Sequence, residues 1–155
     1  MIVWRIAVES PTYAASDLSG EGAKRTGGRW NRRGLALVYC SQSIALAVLE
    51  TLAHLNQWDL PLNRFLVEVS IPDPLWQSRQ IVGRESAPGG WDAIPAGMAS
   101  VSFGDIWLAS ASSAVLEVPS VIVPEECNVL LNPLHPDASR IQVRTIRRWS
   151  YDHRI

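Results

Sequence analysis

The sequence predicts a single α+β domain whose core is a mixed, mostly antiparallel sheet with a few helices. Segments with strand patterns outnumber segments with helix patterns, and their order does not alternate as it does in βαβ folds. The chain has 155 residues, of which 47% are hydrophobic and 19% are charged, and this suffices for one buried core. We therefore expect residues 1–155 to form one domain.

The predicted strands are short segments that are either continuously apolar or alternate between apolar and polar residues. They are Ile2–Val8, Leu35–Cys40, Arg64–Ile71, Leu116–Val123, Cys127–Leu131 and Ile141–Thr145. The turn between the fourth and fifth strands is expected at residues 124–126. Residues 9–34 and 77–104 are rich in Gly, Ser or Pro, and we expect long loops there, the second with room for a short helix.

One helix is strongly predicted, over residues 44–55. Ser43 is a favourable N-cap residue, and the segment after it consists mostly of good helix formers. Apolar residues at helical spacing are expected to face the core, namely Ile44, Val48, Leu52 and Leu55. Asp105 is expected to cap a second, short helix that runs to about Ala114.

Composition excludes several classes of protein. The formal net charge is −1, so overall charge predicts neither a nucleic-acid nor a membrane partner. The N-terminus lacks the apolar region of a signal peptide and no stretch of about 18 apolar residues is present, so we expect a cytoplasmic protein. Cys40, Cys127 and the three histidines lack metal-ligand spacing, which predicts two free, buried cysteines and no metal site.

A glycine-rich basic segment lies at residues 20–33. It matches neither the P-loop nor the Rossmann fingerprint. Its cations fall within ten residues of each other: Lys24, Arg25, Arg29, Arg32 and Arg33. Glycine lets the backbone approach a ligand and arginine binds phosphate through two donors, so a pyrophosphate ligand fits this segment. A solvated surface turn and a nucleic-acid patch fit it as well.

Isolated polar residues in apolar surroundings are the other candidates. Glu50 lies in the apolar helix with His54 one turn later, Tyr39 ends a strand, and Ser120 interrupts an apolar one. Each has an ordinary structural explanation: a helix edge, a core hydroxyl, or a hydroxyl bonded to nearby backbone. Ser120 has no GxSxG context, which argues against a serine hydrolase. Trp30 is placed to stack on a flat ring.

Two blocks of the sequence resemble a known family. GGRWNRRGLALVYCSQSIALAVLETLAHL resembles the N-terminal half of the RES domain, and SFGDIWLASASSAVLEVPSVIVPEECNVLLNPLHPD resembles its C-terminal half. The resemblance covers roughly residues 2 to 137. Arg29, Glu50 and Ser120 match the Arg, Glu and Ser for which the family is named, and Tyr39 matches a further family tyrosine.

The resemblance implies a fold similar to that of ADP-ribosyltransferase toxins. RES proteins are toxins paired with an antitoxin that carries an Xre-like helix-turn-helix domain. They act on NAD, which they degrade by hydrolysis or phosphorolysis, or from which they pass ADP-ribose to a protein. On this basis the catalytic residues are expected to be Arg29, Tyr39, Glu50 and Ser120. The residues expected to bind NAD are Lys24, Trp30, Asn31, Ser41 and His54.

These residues suit cleavage of the nicotinamide–ribose bond, which builds cationic character on the sugar. Glu50 is expected to stabilise the sugar, Arg29 to hold phosphate or ribose, Tyr39 to form a flat wall, and Ser120 to bond the ribose or carboxamide. The rival hypothesis is an RNA- or DNA-binding or nuclease-type toxin that uses the basic loop 24–33 together with the arginines at 140, 144, 147 and 148. The near-neutral charge and the missing recognition motif argue against it. A pure interaction domain is a third reading.

Overall fold

The computed structural model describes residues 1–55 and 62–154. The strands in these ranges are β1 (Ile2–Val8), β2 (Val38–Ser41), β3 (Arg64–Ser70), β4 (Gln80–Ile81), β5 (Val115–Pro119), β6 (Cys127–Leu131) and β7 (Gln142–Trp149). The helices are α1 (Glu21–Thr26), α2 (Ile44–Ala53), α3 (Asp73–Gln77) and α4 (Met98–Ser110), with a 3-10 helix at Pro136–Arg140. Across the described ranges, no helix has both the length and the apolar character needed to cross a membrane.

The strands form one sheet in the order β4-β5-β6-β2-β1-β3-β7. The β4–β5 pair is parallel, and the other neighbouring pairs are antiparallel. The predicted α+β class with a mostly antiparallel sheet is therefore confirmed.

The centre of the sheet is split between β1 and β2. These strands pair at a single position, Trp4 opposite Ser41. On its other side β1 pairs with β3 along its whole length, from Ile2 opposite Ser70 to Val8 opposite Arg64. Because β1 and β2 diverge after Trp4, an opening lies between them in the middle of the sheet. We call this opening the split.

The two faces of the sheet are packed differently. One face carries a single apolar cluster that includes Val67, Val69 and Val129 and extends to Leu75 of α3. The opposite face carries two separate clusters. The first lies under α2 and includes Ile6, Val48 and Leu66. The second lies under α4 and includes Trp30, Trp107, Leu116 and Leu130. The gap between these two clusters is where polar side chains occupy the sheet.

Helix α2 confirms the strongest local prediction. The Ser43 hydroxyl accepts a hydrogen bond from the Leu46 amide at 3.1 Å, which caps the first turn. Ile44, Val48 and Leu52 pack against the sheet in the cluster under α2, as their spacing predicts. The helix ends at Ala53, slightly earlier than expected.

Several predicted boundaries were wrong. The segment 9–34 is not all loop, because α1 forms within it. Residues 77–104 contain β4 and the start of α4. Asp105 does not cap a helix: it lies in the middle of α4, where its carboxylate accepts hydrogen bonds from the amide and the Nε of Arg32. A residue type that favours caps is thus also stable inside a helix when a distant partner satisfies it.

The ends of several strands also differ from prediction. The strand expected over Leu35–Cys40 begins at Val38, and the final strand continues beyond Thr145 to Trp149. Strand β5 stops at Pro119 instead of Val123, because the Ser120 hydroxyl accepts the amides of Ile122 and Val123 and turns the chain. Both cysteines are free as expected, although Cys127 is half-buried where burial was predicted.

Candidate active site

A polar strip lies on the sheet face between the α2 and α4 clusters. Ser41 of β2 stands opposite Asn128 of β6, so both side chains reach the same face. Tyr39, two residues before Ser41, shares this face and lies at the edge of the α4 cluster. Helix α2 brings Glu50 over the strip, and Ser120 reaches it from the turn after β5. Residues far apart in the sequence therefore meet at one place.

The Glu50 carboxylate is the centre of this strip. Its Oε1 accepts a hydrogen bond from the Ser120 hydroxyl at 2.8 Å and another from the Asn128 amide at 2.5 Å. No hydrogen bond from any described residue reaches its Oε2. In the part of the chain that the structure describes, one oxygen of this carboxylate is held and the other meets no donor, an arrangement suited to an external donor or a developing positive charge.

Ser120 is buried, with 0% of its surface exposed. Its Oγ accepts the amides of Ile122 and Val123, each at 3.1 Å, so its own proton is directed to Glu50. Ser120 therefore has both a structural role and a place in the candidate site. The hydroxyl shapes the turn after β5 and also fixes the Glu50 carboxylate.

Arg29 is held by the segment that precedes α4. Its Nη1 donates to the carbonyl oxygens of Trp91 and Ala93 at 2.8 and 2.9 Å. Among the described residues, no hydrogen bond is made by its Nε or Nη2. The guanidinium is therefore anchored on one side and keeps donors for a ligand on the other.

Tyr39 anchors the loop that carries Arg29. Its hydroxyl donates to Oδ1 of Asn31 at 2.8 Å and accepts the Trp30 amide at 3.0 Å. Burial raises the pKa of this hydroxyl well above its ordinary value; the nearby Arg29 charge lowers it, and the charge of Glu50 raises it. Tyr39 thus links the loop that carries Arg29 to the strand that carries Ser41 of the polar strip.

The split opens next to Tyr39 as a cleft of about 190 Å³. Its walls include Ile6 of β1, Leu37 just before β2, and the ring of Tyr39. Two basic residues, Arg5 and Arg64, and two acidic residues, Asp17 and Glu21, also line it, and Arg5 donates to the Asp17 carbonyl at 3.4 Å. A cleft with an aromatic wall and charged residues of both signs suits a flat ligand that carries polar groups.

Two residues expected to bind ligand serve the scaffold instead. Trp30 is 2% exposed and packs between Trp91 and Phe103, so its ring has no free face for stacking on a ligand. The Asn31 side chain is buried and donates to the carbonyls of Ala23 and Leu35 at 2.9 Å. Both residues shape the loop around Arg29.

The remaining expected contacts also have partners within the chain. Ser41 donates to Oδ1 of Asn128 at 2.7 Å. Lys24 is exposed and pairs with Glu21 at 3.2 Å. His54 does not pair with the Glu50 carboxylate, because its exposed ring bonds the backbone carbonyl of Glu50 at 2.7 Å. Neither Lys24 nor His54 makes a hydrogen bond that places it in the polar strip.

Several cationic side chains of the basic segment already interact with carboxylates or carbonyl oxygens of the chain. Arg32 pairs with Asp105, Arg25 lies 4.0 Å from Glu21, and Arg33 donates to the Thr26 carbonyl. Near the C-terminus Arg144 pairs with Glu68 and Arg140 with Asp137. Cations that are already paired give no continuous surface for phosphate backbones, so the nucleic-acid hypothesis is not favoured.

Asn128 is the site residue that the sequence analysis missed. Its side chain contacts Glu50 and Ser41, which lie 78 and 87 positions away in the sequence. Its neighbours in CNVLLNPLHP suggest turn chemistry, and no local signal reveals either partner. In residues 1–55 and 62–154, no group of three or more His, Cys, Asp or Glu side chains is arranged to hold a metal ion.

A comparison with known proteins shows which family this chain matches. Residues 2–153 match the family model described as "RES domain". The "Prs ADP-ribosylating toxin" of Sphingobium sp. strain YBL2 is 56% identical, over 98% of this chain and 94% of its own length. A protein named "Toxin Res" from Yersinia enterocolitica is 40% identical, over 87% of this chain and 86% of its own.

A solved structure shares the fold. It is the M. tuberculosis MbcT–MbcA toxin–antitoxin complex, whose matching chain has a TM-score of 0.66 and 17% sequence identity. The match covers 94% of this chain and 84% of that chain.

Proposed function

Because the chain belongs to the RES domain family, we propose that it is a toxin that binds NAD and breaks the nicotinamide–ribose bond. Nicotinamide leaves as a neutral group while positive charge develops on the ribose, so the site needs a fixed anion beside the sugar. The observation that carries the proposal is the Glu50 carboxylate, held at Oε1 by Ser120 and Asn128 and without a donor at Oε2 from residues 1–55 and 62–154.

The other side chains supply binding. We assign Arg29 to the diphosphate or ribose through its remaining donors, and the ring of Tyr39 to the wall of the cleft. Ser120 acts on the sugar through Glu50. The cleft of about 190 Å³ is smaller than the roughly 300–1,000 Å³ typical of small-molecule sites. It therefore takes one part of the dinucleotide, while the rest extends along the surface.

The acceptor of the sugar is water, phosphate or a protein side chain. A relative that is 56% identical is named an ADP-ribosylating toxin, and this favours a protein acceptor. The matching fold in a toxin–antitoxin complex supports an antitoxin as partner, and we propose one with an Xre-like helix-turn-helix domain. NAD-dependent toxicity of this kind would act in the cytoplasm, where the substrate is abundant.

Purified protein incubated with NAD tests the proposal. We expect free nicotinamide to appear in proportion to enzyme concentration. Parallel reactions with added phosphate and with cell lysate distinguish the acceptors, since they yield ADP-ribose, its 1-phosphate or ADP-ribosylated protein. Salt-sensitive RNA binding without any nicotinamide release would overturn the proposal and favour a nucleic-acid partner.

A further inference from the structure

Glu50 is held by two donors that approach the same oxygen. Ser120 and Asn128 both bond Oε1, at 2.8 and 2.5 Å. Two bonds to one oxygen restrict rotation about the carboxyl group and fix the direction of the other oxygen. The direction of Oε2 is therefore set by the protein before any ligand arrives.

The Asn128 amide is itself oriented by a neighbour. The buried Ser41 hydroxyl has one proton, and it donates that proton to Oδ1 of Asn128 at 2.7 Å. With its oxygen end occupied, the amide presents its NH₂ group to Glu50. The reverse orientation would set an amide oxygen against a carboxylate and leave the serine without an acceptor.

We propose that Asn128 is a positioning residue that, oriented by Ser41, holds Oε1 of Glu50 so that Oε2 points at the ribose of the bound dinucleotide. This inference rests on the proposed function for its kinetic consequence. Its geometric part concerns the carboxylate alone. Ser41, expected from sequence to bind the ligand, here acts two steps away from it, through Asn128 and then Glu50.

Asn128→Leu is the sharpest variant, because it roughly preserves the shape of the side chain while it removes the donor to Glu50 without adding a second carboxyl group beside it. We expect kcat for nicotinamide release to fall about 10- to 100-fold with KM for NAD nearly unchanged, since misplacement of a reacting group by about 1 Å costs that much. Ser41→Ala should lower kcat in the same direction by less, because Asn128 keeps its donor but loses its orientation.

Asn132→Ala is the matched control. Asn132 follows β6, is 2% exposed and donates to the Leu108 carbonyl, but it makes no hydrogen bond with Glu50. We expect this variant to lower the melting temperature without lowering kcat. Wild-type kcat in Asn128→Leu, or a loss that merely tracks melting temperature as in the control, would overturn the inference.

A crystal structure of Asn128→Ala separates this inference from the proposed function. We expect the Glu50 carboxylate to rotate about its remaining hydrogen bond to Ser120, so that Oε2 changes direction. An unmoved carboxylate would refute the positioning role even if wild-type protein releases nicotinamide. A rotated carboxylate would support it even if NAD proves not to be the substrate.

Discussion

Gly104 of α4 lies directly against the backbone carbonyl of Trp30. A Cβ atom built at Gly104 would stand 1.8 Å from that oxygen, far inside any real contact distance. The helix thus packs backbone to backbone on the loop that carries Arg29. Only glycine permits this approach, so the position of Arg29 depends on a residue with no side chain.

Gly104→Ala should therefore be severely destabilising. The added methyl forces α4 and the Arg29 loop apart, at a cost of about 3 kcal/mol or more in the free energy of unfolding. Thermal or urea unfolding followed by circular dichroism measures this directly. Gly22→Ala in α1 is the matched control, since nothing lies within 4 Å of its Cβ position. Equal stability of the two variants would contradict the close contact.

Glu50→Gln should reduce nicotinamide release about a hundredfold or more while the fold survives. The substitution keeps size and hydrogen-bonding capacity but removes the negative charge that stabilises the developing cation. Initial rates at saturating NAD measure the effect. Glu68→Gln on β3 is the control, because Glu68 pairs with Arg144 and makes no hydrogen bond with Glu50, Ser120 or Asn128, so it should leave the rate unchanged. A fully active Glu50→Gln enzyme would remove Glu50 from the mechanism.

Tyr39→Phe should lower both stability and turnover. Without the hydroxyl, the Trp30 amide and the Asn31 side-chain oxygen each lose a partner, at a cost of about 1–3 kcal/mol. The loop that carries Arg29 loosens as a result, so KM for NAD should rise. Urea unfolding and steady-state kinetics measure the two effects. The control is Tyr13→Phe. The Tyr13 hydroxyl makes no hydrogen bond to the described residues, so the stability of this variant should stay close to that of the wild type.

Cys40 should make the protein sensitive to alkali. Burial raises the pKa of its thiol from 9.0 to about 11, so the folded state resists ionisation that the unfolded chain undergoes. The contribution of the protonated thiol to the free energy of unfolding is complete below pH 9 and is lost as pH rises through about 11. The free energy of unfolding therefore falls by about 2 kcal/mol between pH 8 and 11. Urea unfolding across this range, with Cys40→Ala for comparison, isolates the effect. A variant with the same pH dependence as the wild type would refute it.

Local sequence patterns predicted the elements that depend on contacts with nearby residues or on burial against any apolar surface. Ile2–Val8 was predicted to its ends because an alternating strand needs only an apolar face. Ser43 and α2 were predicted because the cap bonds an amide three residues later. In the same way, Glu50 became a candidate because a carboxylate in an apolar helix is conspicuous without knowledge of its partners.

Partners distant in the sequence explain the failures. Asp105 favours a helix cap on its own, but Arg32, which lies 73 positions away, satisfies it inside α4. Trp30 has the chemistry of a stacking platform, and only the packing of Trp91 and Phe103 shows that its faces are taken. Asn128 lies in a turn-like motif, and its role follows from strand register. Tertiary contacts decided each of these outcomes.

The single Trp4–Ser41 pairing has a mechanical consequence. Strands β1, β3 and β7 form one panel and β2, β6, β5 and β4 another, and the two panels share almost no backbone ladder. A change of angle between them breaks few hydrogen bonds, so a molecule lodged in the opening can act as a wedge. The residues that hold Glu50 and the Arg29 loop, namely Ser120, Asn128 and Tyr39, lie on or directly after strands of the second panel, so a change of panel angle would move β1 and β3 past the site and leave its own hydrogen bonds in place.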